Sequence, residues 1–251
     1  MIERADAGGV AVVRLAHGKV NALDVELLRE ITEVFTGLAG AGPPAVVLTG
    51  SGRSFSAGVD LWRVIDGGAG YVDAFLPALS DALLAVFTLG KPVVAAVNGH
   101  AIAGGAVLAC ATDHRLMADP GGRIGVTELV VGVPFPPTPL EIVRFALGEP
   151  RARTAVVSGR TFAPPDAIAA GFVDELVPAA ELLPAAVGTA LRLAAAVPAD
   201  TFRLPKEQLR LPVQERLARY RPVYDARVRD LWAVSVEDGR LRRYMRRIAA
   251  R

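Results

Sequence analysis

Cysteine is almost absent from this chain: Cys110 is the single thiol in 251 residues. One thiol excludes an internal disulfide framework, and its place in the apolar run 106–111 reads as a small buried hydrophobe suited to a reducing compartment. The three histidines, His17, His100 and His114, lie far apart and match no metal-ligand spacing, so no metal is expected. The N-terminus, Met1 to Asp6, has no apolar core after a basic start and is not read as a signal peptide. No apolar run approaches the roughly eighteen residues of a membrane span, so the expectation is a cytoplasmic protein with no membrane partner. Net charge is only +2, too little to imply a nucleic-acid partner. About half of the basic residues follow Thr201, among them Arg242, Arg243, Arg246 and Arg247, which suits a solvated helix face or a local phosphate-binding surface. A nucleic-acid groove would interleave aromatics with that charge, and only Tyr220, Tyr224, Trp232 and Tyr244 are present, at long spacings.

What the chain does have is a normal globular balance, 52% apolar and 22% charged, and enough length for one large domain or a domain with an appendage. Strand-like runs at 10–15, 45–49, 92–97 and 113–118 alternate with helix-period stretches at 24–38 and 71–87, which argues for an α/β core. Asp24 is a natural N-cap for the first helix. Beyond Pro139 the pattern is mostly helical, at 140–147, 151–158, 165–170, 179–196, 213–234 and 237–249. The chain accordingly divides into an α/β core over 1–195 and a helical C-terminal region over 196–251. No sequence repeat of fixed period is visible.

Several motifs are excluded in turn. The Gly-x-Gly pairs at 40–42, 50–52 and 68–70 lack the third glycine of a dinucleotide fingerprint, and there is no phosphate loop or G-x-S-x-G elbow. Two glycine-bearing turns remain, 55–61 and 98–106, each between a Val/Ala-rich run and a stretch able to start a helix. Each can aim a free backbone N–H into a cleft, and two such donors on one carbonyl oxygen form an oxyanion hole. The candidate base is Glu128, an acid within an apolar stretch; desolvation there raises a carboxyl pKa toward neutrality. The same residue also reads as a helix N-terminal acid or half of a buried ion pair.

In this order, Val20-Asn21-Ala22-Leu23, Phe55 to Leu61, Lys91 to Gly99, Cys110 to Asp113, Glu128 to Pro134, Ser158-Gly159-Arg160 and Ala170 to Val173, the chain resembles the crotonase superfamily, the enoyl-CoA hydratase/isomerase family. The resemblance implies a spiral of ββα units with a helical C-terminal region that mediates oligomer contacts, assembled as a homotrimer or homohexamer. It implies an acyl-CoA thioester substrate and no separate cofactor, since CoA is part of the substrate. Carried over residue by residue, it puts the oxyanion donors at the N–H groups of Val59 and Gly104 and the proton shuttle at Glu128. Ala57, Gly58, Asp60, Leu61, Gly105, Val107 and Pro134 complete the implied substrate-binding set, with Asp60 expected to cap its turn. Trp62 falls where many relatives carry a lysine near the CoA phosphates, and C-terminal arginines could replace it.

Hydratases of the family use two glutamates, and here the first falls on Val107. Water addition needs a held, deprotonated water and a proton donor, whereas moving a double bond from position 3 to position 2 needs one base. The resemblance therefore favours a 3-enoyl-CoA to 2-enoyl-CoA isomerase. A hydratase, hydrolase or decarboxylase using another acid such as Glu141, and a non-catalytic acyl-CoA-binding homologue, stay open as alternatives. Trp62, Ile65 and Phe135 are candidate walls of the acyl pocket.

Overall fold

The computed structural model describes residues 1–249, so residues 250 and 251 of the expected C-terminal region lie outside it. Strand β1 (Ile2–Ala7) turns through Gly8 and Gly9 into its antiparallel partner β2 (Val10–Leu15). Helix α1 (Val25–Leu38) follows, its N-terminus closed by the Asp24 carboxylate accepting from the Leu27 N–H at 2.8 Å.

The chain then repeats one unit three times: a strand in a large sheet, a short strand in a small sheet, and a helix. The first unit is β3 (Val46–Gly50), β4 (Ser54–Ser56) and α2 (Leu61–Phe87). The second is β5 (Val93–Val97), β6 (His100–Ile102) and α3 (Gly104–Cys110). The third is β7 (His114–Ala118), β8 (Ile124–Gly125) and α4 (Glu128–Val131). The helices span 27, 7 and 4 residues, which is why a threefold structural repeat leaves no fixed period in the sequence. Successive units stack closely at their corners: a Cβ on Gly99 would lie 2.1 Å from the Arg53 carbonyl oxygen.

Helices α5 (Pro137–Leu147), α6 (Glu149–Ser158) and α7 (Pro164–Ala169) lead to β9 (Glu175–Val177). Helices α8 (Leu182–Ala195), α9 (Ala199–Glu237) and α10 (Arg240–Ala249) complete the described chain. The large sheet has the order β1-β2-β3-β5-β7-β9, parallel from β2 onward, and the small one β4-β6-β8 is parallel throughout. Both faces of the large sheet are covered. Val46, Leu48, Val93 and Ala95 meet the main core with α1 and α2, while Val47, Val94 and Ala96 meet α8. Burial on both faces explains why these strands read as continuous apolar runs. The fold is the α/β ββα spiral with a helical C-terminal region that the resemblance implied.

Two helices exceed their sequence-based bounds. Helix α2 begins at Leu61 rather than near residue 71, capped by Asp60 and broken at Gly68 (φ 63°, ψ −154°), where a run of glycines hides the helical pattern. By length and composition it passes for a membrane-crossing helix, although Asp66, Asp73 and Asp81 interrupt its apolar residues, so it is not a continuous apolar run of the kind the sequence reading looked for. Here its apolar side chains, Val64, Val72, Phe75, Leu79, Leu83 and Phe87 among them, pack into the main core.

Helix α9 runs from Ala199, not from about residue 213, and contains Pro205, Pro212 and Pro222. Its inward positions are Lys206, Arg210, Val213 and Leu217, a helical stripe whose first two members are charged and so escape a hydrophobic reading. Those cations grip Asp113: Lys206 Nζ lies 2.6 Å and Arg210 Nη2 2.7 Å from its carboxylate, while Lys206 also donates to Lys91 O and Arg210 to Phe87 O. Burial pulls the Lys206 ammonium down to about 8 despite the carboxylate. Farther along, Val228 and Trp232 of α9 and Leu241 of α10 join the same core as the strands.

Candidate active site

The first glycine turn is held by residues 20–24. Ala57 N donates to Val20 O, Leu23 N to Gly58 O and Asp60 N to Leu23 O, at 2.9, 2.7 and 3.0 Å. This parallel bridge between Leu23 and Val59 uses the groups on either side of Val59 and leaves its own N–H outside the ladder.

Asn21 anchors the arrangement from a fully buried position at φ 52°. Its Nδ2 donates to Ser54 O at 2.9 Å and more weakly to Ser51 O and Phe55 O, and its Oδ1 accepts from His17 N. Its carbonyl accepts from Ser56 Oγ at 2.7 Å, and that hydroxyl accepts from Gly58 N. Truncation would strand buried carbonyls and put alanine in the left-handed region, so Asn21→Ala is expected to cost about 2–4 kcal/mol. Urea unfolding of the variant beside wild type measures this; a loss below about 1 kcal/mol would remove Asn21 as the anchor.

The second turn carries backbone strain. Ala103 sits at φ 50°, ψ −121°, a region sparsely used by residues with a Cβ, and this ψ sets the plane of the 103–104 peptide. Gly104 opens α3, so its N–H is one of the first-turn donors without an intrahelical acceptor. Neither Val59 N–H nor Gly104 N–H has a protein partner among the described residues. The turns touch: a Cβ on Gly58 would lie 3.3 Å from Gly104 N and 2.4 Å from Ile102 O.

Beside them is a cavity of about 430 Å³, within the range of small-molecule sites, lined by Ala57, Val59, Asp60, Leu61 and Ala103 from the two turns. Thr127, Glu128, Val131 and Val133 come from the third unit, and Trp232, Tyr244, Met245 and Ile248 from the C-terminal helices. Glu128 is 7% exposed, and its buried Oε2 has no hydrogen-bond partner among the described residues. Burial pushes its pKa up to about 7 against the partial relief of the Glu128 and Thr127 backbone amides, with no charged side chain contributing. It does open helix α4, as the helix N-terminal reading has it, but it is buried there and pairs with no cation among the described residues. Asp60, the other acid on the cavity wall, accepts from Trp62 N and Arg63 N as the cap of α2.

The remaining sequence candidates are placed elsewhere. Gly105 is a packing position, where a Cβ would meet Ser56 O at 2.3 Å. Val107 is fully buried in α3, off the cavity wall. Pro134 and Phe135 line a neighbouring groove, and Ile65 lies in the core; of the candidate acyl-pocket walls, Trp62 alone is on the cavity. Glu141 also faces that groove with both oxygens engaged, by Arg144 at 2.7 Å and Arg216 at 2.5 Å. The sequence reading did not place Trp232, Tyr244, Met245 or Ile248 at the site. The available signal was the stripe Leu241, Tyr244, Met245, Ile248 through an arginine-rich helix, which turns its apolar side to the cavity and leaves Arg242, Arg243, Arg246 and Arg247 exposed.

Comparison with known proteins shows the family. Residues 5–239 match the family model described as Enoyl-CoA hydratase/isomerase. A putative enoyl-CoA hydratase of Thermus thermophilus is 38% identical over 209 residues, covering 81% of each chain. The human mitochondrial enoyl-CoA delta isomerase 1 is 30% identical over 220 residues, 86% of this chain and 72% of the relative. The crystal structure of human mitochondrial delta3-delta2-enoyl-CoA isomerase superposes with a TM-score of 0.89 at 28% identity, covering 99% of this chain and 98% of that one. A probable enoyl-CoA hydratase of Mycobacterium tuberculosis superposes with a TM-score of 0.78 at 27% identity, over 97% and 95%. Sequence and fold therefore agree that this chain is an enzyme of the enoyl-CoA hydratase/isomerase family, the crotonase superfamily.

Proposed function

We propose that the enzyme converts 3-enoyl-CoA to 2-enoyl-CoA with Glu128 as its one acid–base group. The ionised carboxylate takes a proton from C2, the electron pair moves into a dienolate, and the thioester oxygen receives the developing charge between the N–H groups of Val59 and Gly104. Protonated Glu128 then returns the proton to C4, leaving the double bond between C2 and C3. The observation that carries this reading is the buried, unpartnered Glu128 oxygen in a cavity whose other wall acid, Asp60, is committed to capping.

The hydratase reading draws on the name of the Thermus thermophilus relative. It lacks a second acid here: Val107 supplies none, and both Glu141 oxygens are held by arginines. Separate assays with 2-enoyl and 3-enoyl thioesters distinguish the two. Isomerisation of the 3-enoyl compound without hydration of the 2-enoyl compound is expected, and hydration at a comparable rate overturns the proposal. A non-catalytic binder would leave the α-protons of bound acyl-CoA unexchanged in deuterated water, whereas Glu128-dependent exchange is expected.

The base must be ionised to act. With its pKa raised to about 7, kcat/KM should fall about tenfold per pH unit below neutrality and level off above it. A profile flat from pH 5 to 8 would remove Glu128 as the base. Assembly as a homotrimer or homohexamer in the cytoplasm belongs to the same proposal. It is supported by exposed apolar side chains along α9, including Leu209, Leu211, Val223 and Leu231, and is measured by sedimentation equilibrium.

A further inference from the structure

We infer that Trp232 is the end wall of the acyl pocket and sets the longest acyl chain the enzyme accommodates. The cavity wall combines exposed and buried side chains: Val20, Trp62 and Ile248 are each more than 40% exposed, whereas Glu128, Val133 and Trp232 are buried. A thioester with its reacting carbons at Glu128 and its bulky CoA toward solvent directs the rest of its chain at the indole.

The wall is fixed rather than yielding. Trp232 Nε1 donates to Pro134 O at 3.0 Å, and its ring packs on Phe75 with centroids 6.1 Å apart and planes tilted by 34°. Space continues past it. Two further grooves, of about 370 and 470 Å³, are both lined by Val228, one helical turn before Trp232, and Pro134 lines the larger. Replacing the indole with a smaller side chain therefore connects the cavity toward that space instead of merely leaving a sealed void.

This inference rests on the acyl-CoA reading and is tested separately from it by calorimetric binding of saturated acyl-CoAs of increasing length, which require no turnover. In wild type, affinity should rise about fourfold per methylene until the chain meets the indole and then stop rising. In Trp232→Leu the break should move to longer chains, and in Trp232→Phe, which keeps an aromatic against Phe75 and protects the fold, it should move by less. The long-to-short ratio of kcat/KM with 3-enoyl substrates should rise at least about tenfold in the leucine variant, the equivalent of two or so buried methylenes. No break in wild type, or a break unmoved in the folded variants, overturns the wall. A break that moves in a protein without isomerase activity supports the wall and sinks the isomerase reading, whereas failure of every acyl-CoA to bind sinks the acyl-CoA reading and the wall together.

Discussion

Glu128→Gln is expected to lower turnover by about a hundred- to ten-thousandfold, the usual contribution of a positioned general base. Above neutral pH it is also expected to stabilise the protein. Glutamine preserves the shape of the side chain and removes the proton transfer, so binding of a saturated acyl-CoA should persist. The stability gain follows from the same burial that tunes the base. The folded-state pKa of about 7 lies above the ordinary value of 4.5, so between those pH values the folded state holds a proton that the unfolded chain has released. Stability from this group is fully present below about pH 4.5 and is lost as pH rises through 7, a total on the order of 3 kcal/mol. The amide escapes that loss. Urea unfolding should therefore find the variant and wild type alike near pH 4.5 and the variant more stable at pH 8. Equal stability at both pH values would show that the carboxylate is not desolvated in the free enzyme.

Gly58→Ala should cost both stability and rate, because this residue joins the two donor turns. Its φ is +83°, where a side chain costs about 1–2 kcal/mol, and the new methyl would lie 2.4 Å from the Ile102 carbonyl oxygen. That carbonyl belongs to the peptide just before the strained Ala103, so relief of the overlap displaces the Gly104 N–H. Loss of one well-aimed oxyanion donor lowers kcat about a hundred- to thousandfold. Gly52→Ala is the matched control: its φ is +63°, but nothing lies within 4 Å of the added methyl. It should carry a similar backbone cost and leave kcat intact. If the two variants lose kcat equally, the contact between turns has no bearing on the donors.

The parts of the site legible in the sequence are those generated by short segments. Gly58 and Gly104 mark turns whose backbones approach each other closely, and Glu128 stands out as an acid in an apolar stretch. The large-sheet strands read clearly because helices cover both their faces and make them uniformly apolar. Harder to read were Asn21, whose partners lie some thirty residues away, and the start of α9, where Lys206 and Arg210 take inward positions because Asp113 waits for them in another unit. Pro134 entered the substrate-binding set through the resemblance, but it lines the neighbouring groove, where its carbonyl accepts from Trp232 Nε1.

Local chemistry thus specified the strand and turn pattern, two glycine turns able to aim a free amide and a lone candidate base, since backbone conformation and hydrophobic patterning are encoded over a few residues, whereas the choice of Val59 and Gly104 as donors came from the family resemblance. Tertiary packing alone established how dry Glu128 is, that Glu141 is spent on Arg144 and Arg216, and which side chains close the cavity. Desolvation and cavity shape are properties of neighbours brought together from opposite ends of the chain, Val20 at one end and Ile248 at the other, and no short window of sequence contains them.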